Sequence, residues 1–197
     1  FVSCAGGLFK AIENAENLGV NTIMMHPTPP QKWNAAPIKE EEIKKFNERF
    51  QEHLKKAESA KITKIEKIYL HGIYLVNLAN PDKQKFHLSK LSLVNYLDFA
   101  NKINADGVIF HTGTFKDYKD DKDGYERVIY GINWIFENVE VKDRKLLLEC
   151  AAGAGGRVIG DHMEELKIIY DGIKEENKSK VGFCLDTQHM FASGYDI

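Results

Sequence analysis

The stretch GVIFHTGTFKDYKDDKDGYERVIYGINWIFENVEVKDRKLLLEC, residues 107–150, is the clearest indication of the fold class. It begins with the apolar run Gly107–Phe110, continues through the helical pattern of Tyr125–Asn138 and ends with the apolar run Leu146–Leu148. Both runs are continuously apolar rather than alternating, which is typical of strands that are covered on both faces. The stretch therefore predicts a strand–helix–strand unit of a parallel sheet.

The same alternation extends along the whole chain. Further strands are predicted at Asn21–Met25, Lys67–Leu70 and Val181–Leu185, and Phe1–Ser3 has the pattern of the end of a sixth. Further helices are predicted at Gly7–Leu18, Lys39–Ala57, Leu91–Ile103 and Asp161–Glu175, the last with Asp161 and Glu164 as a capping box. This order predicts six parallel strands with right-handed crossovers in a single α/β domain over residues 1–197.

Composition excludes several classes of protein. The chain has 197 residues and a formal net charge of −2, which fits one domain and argues against a purely electrostatic nucleic-acid binder. No apolar run approaches the roughly 18 residues of a membrane span, and the first residues lack the charged and apolar regions of a signal peptide. Three isolated cysteines fit reduced thiols better than a disulfide framework. We therefore expect a cytoplasmic protein without a membrane segment.

Metal-binding residue types follow four of the predicted strands directly. His71, His111, Glu149 and Asp186 each end an apolar run, and His189 follows three residues after Asp186. All strands of a parallel sheet end at the same face, so topology brings these residues together. Imidazole and carboxylate ligands suit zinc, and a bridging carboxylate can hold two ions. The alternative for each residue alone is that it only caps a strand; four in succession favour a metal site.

The remaining histidines and the cysteines carry weaker signals. His26 also ends a predicted strand, and the pattern alone leaves its role as a ligand open. The other histidines are predicted to be surface residues, namely His53, His87 and His162. The cysteines are predicted to be buried apolar residues rather than nucleophiles, namely Cys4, Cys150 and Cys184. The glycine-rich segment Gly153–Gly156 is either a loop that approaches the metal face or a plain flexible loop.

At these positions the sequence resembles the endonuclease IV family of apurinic/apyrimidinic endonucleases. The matching segments occur in the family's order along the whole chain, and the last of them is long and specific. They are Val2–Gly7, Trp33–Pro37, His71–Leu78, Phe110–Thr114, Leu148–Gly155 and Cys184–Asp196.

The resemblance implies a TIM (β/α)8 barrel with a cluster of three zinc ions at the carboxyl ends of its strands. His71 and His111 would bind one zinc, and Glu149 would bridge it to a second as the catalytic carboxylate. Asp186 would bind the second zinc and His189 the third.

The activity implied is hydrolysis of the phosphodiester 5′ to an abasic site, which leaves a 3′-hydroxyl, together with trimming of blocked 3′ ends. The implied partner is double-stranded DNA with abasic sites, bound by a monomer. Tyr74 and Leu75 would wedge into the DNA at the lesion, and Trp33 would lie beside the abasic site.

The chain departs from the family in two respects. The family has a histidine where this chain has Phe1 and lacks one where this chain has His26, so His26 is expected to support the ligands rather than to join them. The family barrel has eight strands, of which about six are predicted here. Its remaining ligands, a His, an Asp-x-His pair and a Glu, would lie beyond Ile197, so we expect residues 1–197 alone to show little or no abasic-site incision.

Two other functions stay open from the sequence. Sugar isomerases and epimerases of the xylose-isomerase-like barrels also place Glu, Asp and His at strand ends. An inactive, lesion-binding remnant is the other alternative.

Overall fold

The structure, a computed structural model, describes residues 1–33, 37–60, 62–153 and 156–197. The strands are β1 (Thr22–Met25), β2 (Lys67–His71), β3 (Gly107–His111), β4 (Lys145–Glu149) and β5 (Val181–Cys184). The longer helices are α1 (Lys10–Leu18), α2 (Glu40–Ala60), α3 (Lys83–Ile103), α4 (Asp121–Asn138) and α5 (Met163–Gly172). The short helices are α6 (Glu175–Lys178) and α7 (Thr187–Ala192). Two predicted motifs extend outside the described residues, at positions 34–36 and 154–155.

The strands form one parallel sheet in the order β1-β2-β3-β4-β5, which confirms the predicted α/β class. Five strands are present in the described residues, so the prediction of six was wrong. Val2 donates its backbone N–H to Met24 O at 2.9 Å, but the chain then turns away, with Gly7 N bonded to Cys4 O at 3.0 Å. Phe1–Ser3 therefore touches the edge of β1 without forming a strand.

Local hydrogen bonds explain where the helices begin. The N-cap residue Asp82 accepts from Lys85 N at 2.8 Å, which starts α3 eight residues before the predicted Leu91. The predicted capping box of Asp161 and Glu164 was wrong, because α5 begins after His162. The carboxylate of the neighbouring Glu165 instead accepts from Gly160 N at 2.7 Å. The short helix α7 was not predicted at all.

The core lies between the sheet and its helices, and consecutive helices pack side by side in the order of the strands. Burial of this apolar surface is the main force that holds the sheet and the helices together. Its largest buried side chains include Ile12, Phe46, Leu70, Phe99 and Phe110. No helix in the described part of the chain is long and apolar enough to cross a membrane.

His53 is fully buried, so its prediction as a surface residue was wrong. It lies on the same face of α2 as the core residue Phe46, and its two ring nitrogens are both used. Nδ1 lies 2.9 Å from Glu16 Oε1, and Nε2 accepts from Ile65 N at 3.0 Å. His87 and His162 are exposed, as predicted.

The three cysteines are free thiols. Cys150 is buried as predicted, whereas Cys4 and Cys184 are only partly buried. Burial raises the pKa of Cys4 to about 11 and that of Cys184 to about 12. A thiol with a raised pKa is a poor nucleophile at neutral pH, which agrees with the structural role predicted from sequence.

Candidate metal centre

Three strands end in the side chains that the sequence analysis selected. His71, His111 and Glu149 are the last residues of β2, β3 and β4. His111 stands directly opposite Glu149 in the register, while His71 is level with Ile109. The parallel arrangement therefore places three separate parts of the sequence at one face of the sheet.

The two histidines converge on one carboxylate oxygen. His71 Nε2 lies 3.0 Å and His111 Nε2 lies 2.7 Å from Glu149 Oε2. His71 and Glu149 are each only 3% exposed, while the His111 side chain is 39% exposed. The ligand atoms of the three residues all lie within 4.8 Å of one another, a separation at which they could hold a metal ion.

The hydrogen bonds of His71 indicate that the group of His71, His111 and Glu149 requires a cation or a proton. Its Nδ1 lies 2.8 Å from Gly72 O, and since a carbonyl can only accept, Nδ1 donates. In the neutral ring the lone pair of Nε2 then faces the carboxylate of Glu149, so two acceptors meet unless a cation or a proton lies between them. Metal-binding histidines usually hold their other N–H to a carbonyl or carboxylate in this way. The donor set of two imidazoles and a carboxylate fits zinc or a similar ion.

The two histidines also determine the ionisation of Glu149. Burial raises the pKa of Glu149, but its contacts with His111 and His71 outweigh burial and lower the pKa to about 2. The carboxylate is therefore ionised at neutral pH in a buried position. A buried anion of this kind needs positive charge nearby.

A second group shares Glu149 and includes Asp186 and His189. Asp186 is the N-cap of α7, where its Oδ1 accepts from Gln188 N at 2.8 Å and from His189 N at 3.0 Å. His189 Nδ1 lies 2.9 Å from Cys150 O and 3.9 Å from Glu149 Oε1. The helix thus positions both side chains against Glu149, which lies in both candidate groups.

The residues predicted to bind DNA differ in their exposure. Tyr74 and Leu75 are 49% and 38% exposed, whereas the following Val76 is buried. The Tyr74 ring lies 5.9 Å from the ring of His71 and 6.0 Å from that of His111, so it borders the metal-binding groups. Trp33 is partly buried and packs against the core.

His26 lies beside the histidines without joining either group of candidate ligands. Its Nδ1 is 3.1 Å from His71 O, and its ring is 4.9 Å from the ring of His71. Burial and the neighbouring His71 lower the pKa of His26 to about 4. Its contact with His71 fits the supporting role expected from sequence. The signal that sequence reasoning missed is the stacking of His26 on Phe1, at 4.8 Å between ring centres.

A parallel α/β sheet whose strands end in two groups of candidate metal ligands is the arrangement expected of part of an α/β barrel with a candidate metal site. A family model described as "Xylose isomerase-like TIM barrel" matches residues 12–197, and the chain belongs to that family. The solved endonuclease IV of Thermus thermophilus superposes with a TM-score of 0.75 at 26% identity, over 98% of this chain and 63% of that one.

Curated relatives make the relationship more specific. A probable endonuclease 4 of Halothermothrix orenii is 34% identical over all of this chain, which covers 65% of that relative. The predicted resemblance to the endonuclease IV family is thereby confirmed. A D-psicose 3-epimerase from Clostridium cellulolyticum has a TM-score of 0.68 at 18% identity, over 98% of this chain and 63% of that one, a likeness of fold alone. This chain spans about two thirds of the length of these proteins.

Proposed function

We propose that this chain carries the metal centre of a zinc-dependent apurinic/apyrimidinic endonuclease of base-excision repair. The reaction is hydrolysis of the phosphodiester 5′ to an abasic site in double-stranded DNA, which leaves a 3′-hydroxyl, and the same site trims blocked 3′ ends. The protein acts as a monomer.

The single observation that carries the proposal is the position of Glu149 in two ligand groups at once. His71 and His111 would hold one ion with Glu149, and Asp186 and His189 would hold another with it. Bound ions supply an activated water and neutralise charge that develops on the phosphate oxygens. The third ion implied by the resemblance has no separate group of its own in the described part of the chain.

Glu149 has the central role among the protein residues. Its carboxylate is buried and lies within 4.8 Å of the other ligand atoms of both groups. Asp186 is itself held by the N-terminal amides of α7, so its orientation is set before any ligand binds. Such preorganisation is what makes electrostatic stabilisation of a transition state effective.

The surface around the site favours a nucleic acid over a free sugar. Tyr74 and Leu75 are exposed beside the ligand groups, although neighbouring apolar side chains are buried. An aromatic ring next to an aliphatic side chain can fill the space left by an unstacked nucleotide, which costs least at a damaged site. We therefore assign Tyr74 and Leu75 as the wedge and Trp33 to the loop beside the abasic site.

Metal analysis tests the ligand assignment. We expect His111→Ala to remove about one equivalent of tightly bound zinc, since three protein ligands are the usual minimum for a catalytic zinc site. The matched control is His162→Ala, which changes an exposed histidine outside both groups. Equal zinc content in the two variants would show that the assignment is wrong.

Incision is tested on a duplex with one abasic site, under single-turnover conditions with protein in excess and zinc present. We expect preferential binding of the abasic duplex and slow cleavage 5′ to the lesion, because the described residues offer ligands for two ions and not three. His111→Ala should abolish the cleavage. Isomerisation of a ketose by the same preparation, without binding of abasic DNA, would support the sugar epimerase instead. Specific binding without any metal-dependent cleavage would support an inactive lesion-binding protein.

A further inference from the structure

His26 presents a nitrogen that nothing in the described structure satisfies. Its Nδ1 lies 3.1 Å from His71 O and donates to it, because a carbonyl oxygen can only accept. Its Nε2 is buried and has no hydrogen-bond partner among the described residues. In a neutral imidazole whose Nδ1 carries the proton, Nε2 is an acceptor. Leaving such an acceptor buried and unpaired costs free energy, which a donor from a ligand would recover.

His26 lines a cavity beside the candidate metal-binding groups. The cavity has a volume of about 440 Å³ and is lined by His26, Tyr74 and the segment Phe1–Cys4. The rings of Phe1 and Tyr74 contact the imidazole, at 4.8 Å and 5.2 Å between ring centres. Both rings are exposed on their outer side, at 67% for Phe1 and 49% for Tyr74. A ligand that displaces either ring therefore reaches His26 from solvent.

The position of His26 limits which parts of a bound molecule can reach its Nε2. It does not belong to either group of candidate metal ligands, although its ring lies 4.9 Å from that of His71. The sugar of a nucleotide whose phosphate is bound by these candidate ligands would therefore be within reach of His26. Ionised phosphate oxygens cannot donate a hydrogen bond, so the donor must come from the sugar or from a base.

The chemistry of an abasic nucleotide leaves one candidate for this hydrogen-bond donor. Within a DNA strand the 3′ and 5′ oxygens are esterified, and deoxyribose has no 2′-hydroxyl. An abasic nucleotide has also lost the N–H groups of its base. In its ring-closed form it carries a single donor, the hydroxyl at C1′, which an intact nucleotide lacks.

We propose that His26 Nε2 accepts a hydrogen bond from the C1′-hydroxyl of an abasic deoxyribose and so recognises the lesion directly. The inference rests on the function proposed above and adds to it a residue that determines specificity. His26 recognises the atom that base loss creates, while Tyr74 and Leu75 fill the space that base loss leaves.

The test compares the affinity of the zinc-loaded protein for three duplexes. One contains a natural abasic site, made by excision of uracil, one contains its tetrahydrofuran analogue, in which C1′ carries hydrogen in place of the hydroxyl, and one is intact. We expect the wild-type protein to bind the natural site about 3- to 10-fold more tightly than the analogue, the range for one neutral hydrogen bond. A wild-type protein without this preference overturns the inference, whatever any variant does.

Variants of His26 test whether its Nε2 atom causes the tighter binding of the natural abasic site. His26→Phe keeps an aromatic ring against Phe1 but removes the acceptor, so the ratio of the two dissociation constants should fall to about one. His26→Gln restores an acceptor at a similar reach and should recover part of the ratio, while His162→Phe should leave it unchanged. Persistence of the wild-type ratio in His26→Phe overturns the inference.

The two proposals fail in different ways. If the wild-type protein binds neither lesion duplex better than the intact one, the proposed function fails and the recognition by His26 fails with it. If both lesions bind more tightly than intact DNA but with equal affinity, only the role of His26 is wrong.

Discussion

In the described part of the chain two buried histidines, His53 and His71, contact a glutamate, and they differ in the partner of their second ring nitrogen. His53 and Glu16 join helices α1 and α2, with 2.9 Å between Nδ1 and the carboxylate. His71 and Glu149 lie at the carboxyl ends of two strands, with 3.0 Å between Nε2 and the carboxylate. The difference lies in the second nitrogen. The second nitrogen of His53 accepts a hydrogen bond from Ile65 N, so both ring nitrogens have a partner within the protein.

His71 uses its second nitrogen as a donor to Gly72 O, which leaves an acceptor facing a carboxylate. His53 is therefore satisfied by the folded chain alone, whereas His71 needs a cation or a proton. Two histidines with similar burial thus have different roles, and the hydrogen bond on the far side of the ring distinguishes them.

The two carboxylates show the same contrast. Glu16 Oε2 contacts Arg49 at 2.7 Å and Lys56 at 3.0 Å, so permanent positive charges compensate it. The basic partners of the Glu149 carboxylate among the described residues are all histidines, and these are charged only when protonated. The pKa is held at about 2 in both cases, against the effect of burial, by hydrogen bonds from basic partners. Among the described residues, Glu149 lies in groups that could hold a metal ion as the source of that charge, whereas Glu16 does not.

The largest expected effect separates these two carboxylates. Glu149→Gln should reduce bound zinc from about two equivalents to less than one and lower incision by at least about 100-fold, because one substitution removes a ligand from both groups. Zinc analysis and single-turnover cleavage measure the two effects. The matched change Glu16→Gln should leave zinc content unchanged. Normal zinc binding by Glu149→Gln would show that Glu149 is not a metal ligand and that it does not differ from Glu16 in this respect.

The second prediction concerns stability rather than metal binding. His53→Ala should lower the free energy of unfolding by about 2–4 kcal/mol, because it leaves Ile65 N–H and the carboxylate of Glu16 without their buried partner. Urea unfolding measures the change, and zinc content should stay at the wild-type value. His87→Ala is the control, since His87 is exposed on the neighbouring helix α3. A loss of zinc in His53→Ala would show that the two regions are coupled.

Sequence patterns predicted the positions of the candidate metal ligands better than the local details of the helices. His71, His111 and Glu149 could be found because a continuous apolar run ends at each of them and parallel topology brings the ends together. His53 could not be placed, because its burial depends on two residues distant in sequence, Glu16 and Ile65.

The same limit explains the other errors. Phe1–Ser3 has the composition of a strand, but the turn that follows it bends the chain away from the sheet. The helix α7 is only six residues long, too short to show a periodic pattern, and it depends on the cap supplied by Asp186. The empty acceptor on His26 is a property of three-dimensional packing and has no signature in the sequence.

The third prediction uses pH to measure the contribution of Glu16 to stability. The folded-state pKa of Glu16 is lowered from 4.5 to about 2, so its contribution to stability is complete above pH 4.5 and is lost as the pH falls towards 2. The contribution is at most about 3 kcal/mol. Urea unfolding of wild-type protein and Glu16→Gln, both in chelator, should therefore differ clearly at pH 5.5 and much less at pH 3. Glu149 is present in both proteins, so its own titration cancels. An unchanged difference at pH 3 would contradict this account of Glu16.

The smallest expected effect concerns the exposed wedge, which should contribute to binding and not to folding. Tyr74 and Leu75 are half-exposed or nearly so, while Val76 beside them is 4% exposed. Changing both Tyr74 and Leu75 to alanine should weaken binding of an abasic duplex by about 10-fold, the cost of losing roughly one stacking contact. Zinc content and melting temperature should not change, because neither side chain belongs to the core or to a ligand group. Val76→Ala is the matched control, and it should lower the melting temperature while leaving the affinity of the folded protein for DNA unchanged. A double variant that melts at a clearly lower temperature would show that these two side chains pack as part of the fold, as Val76 does.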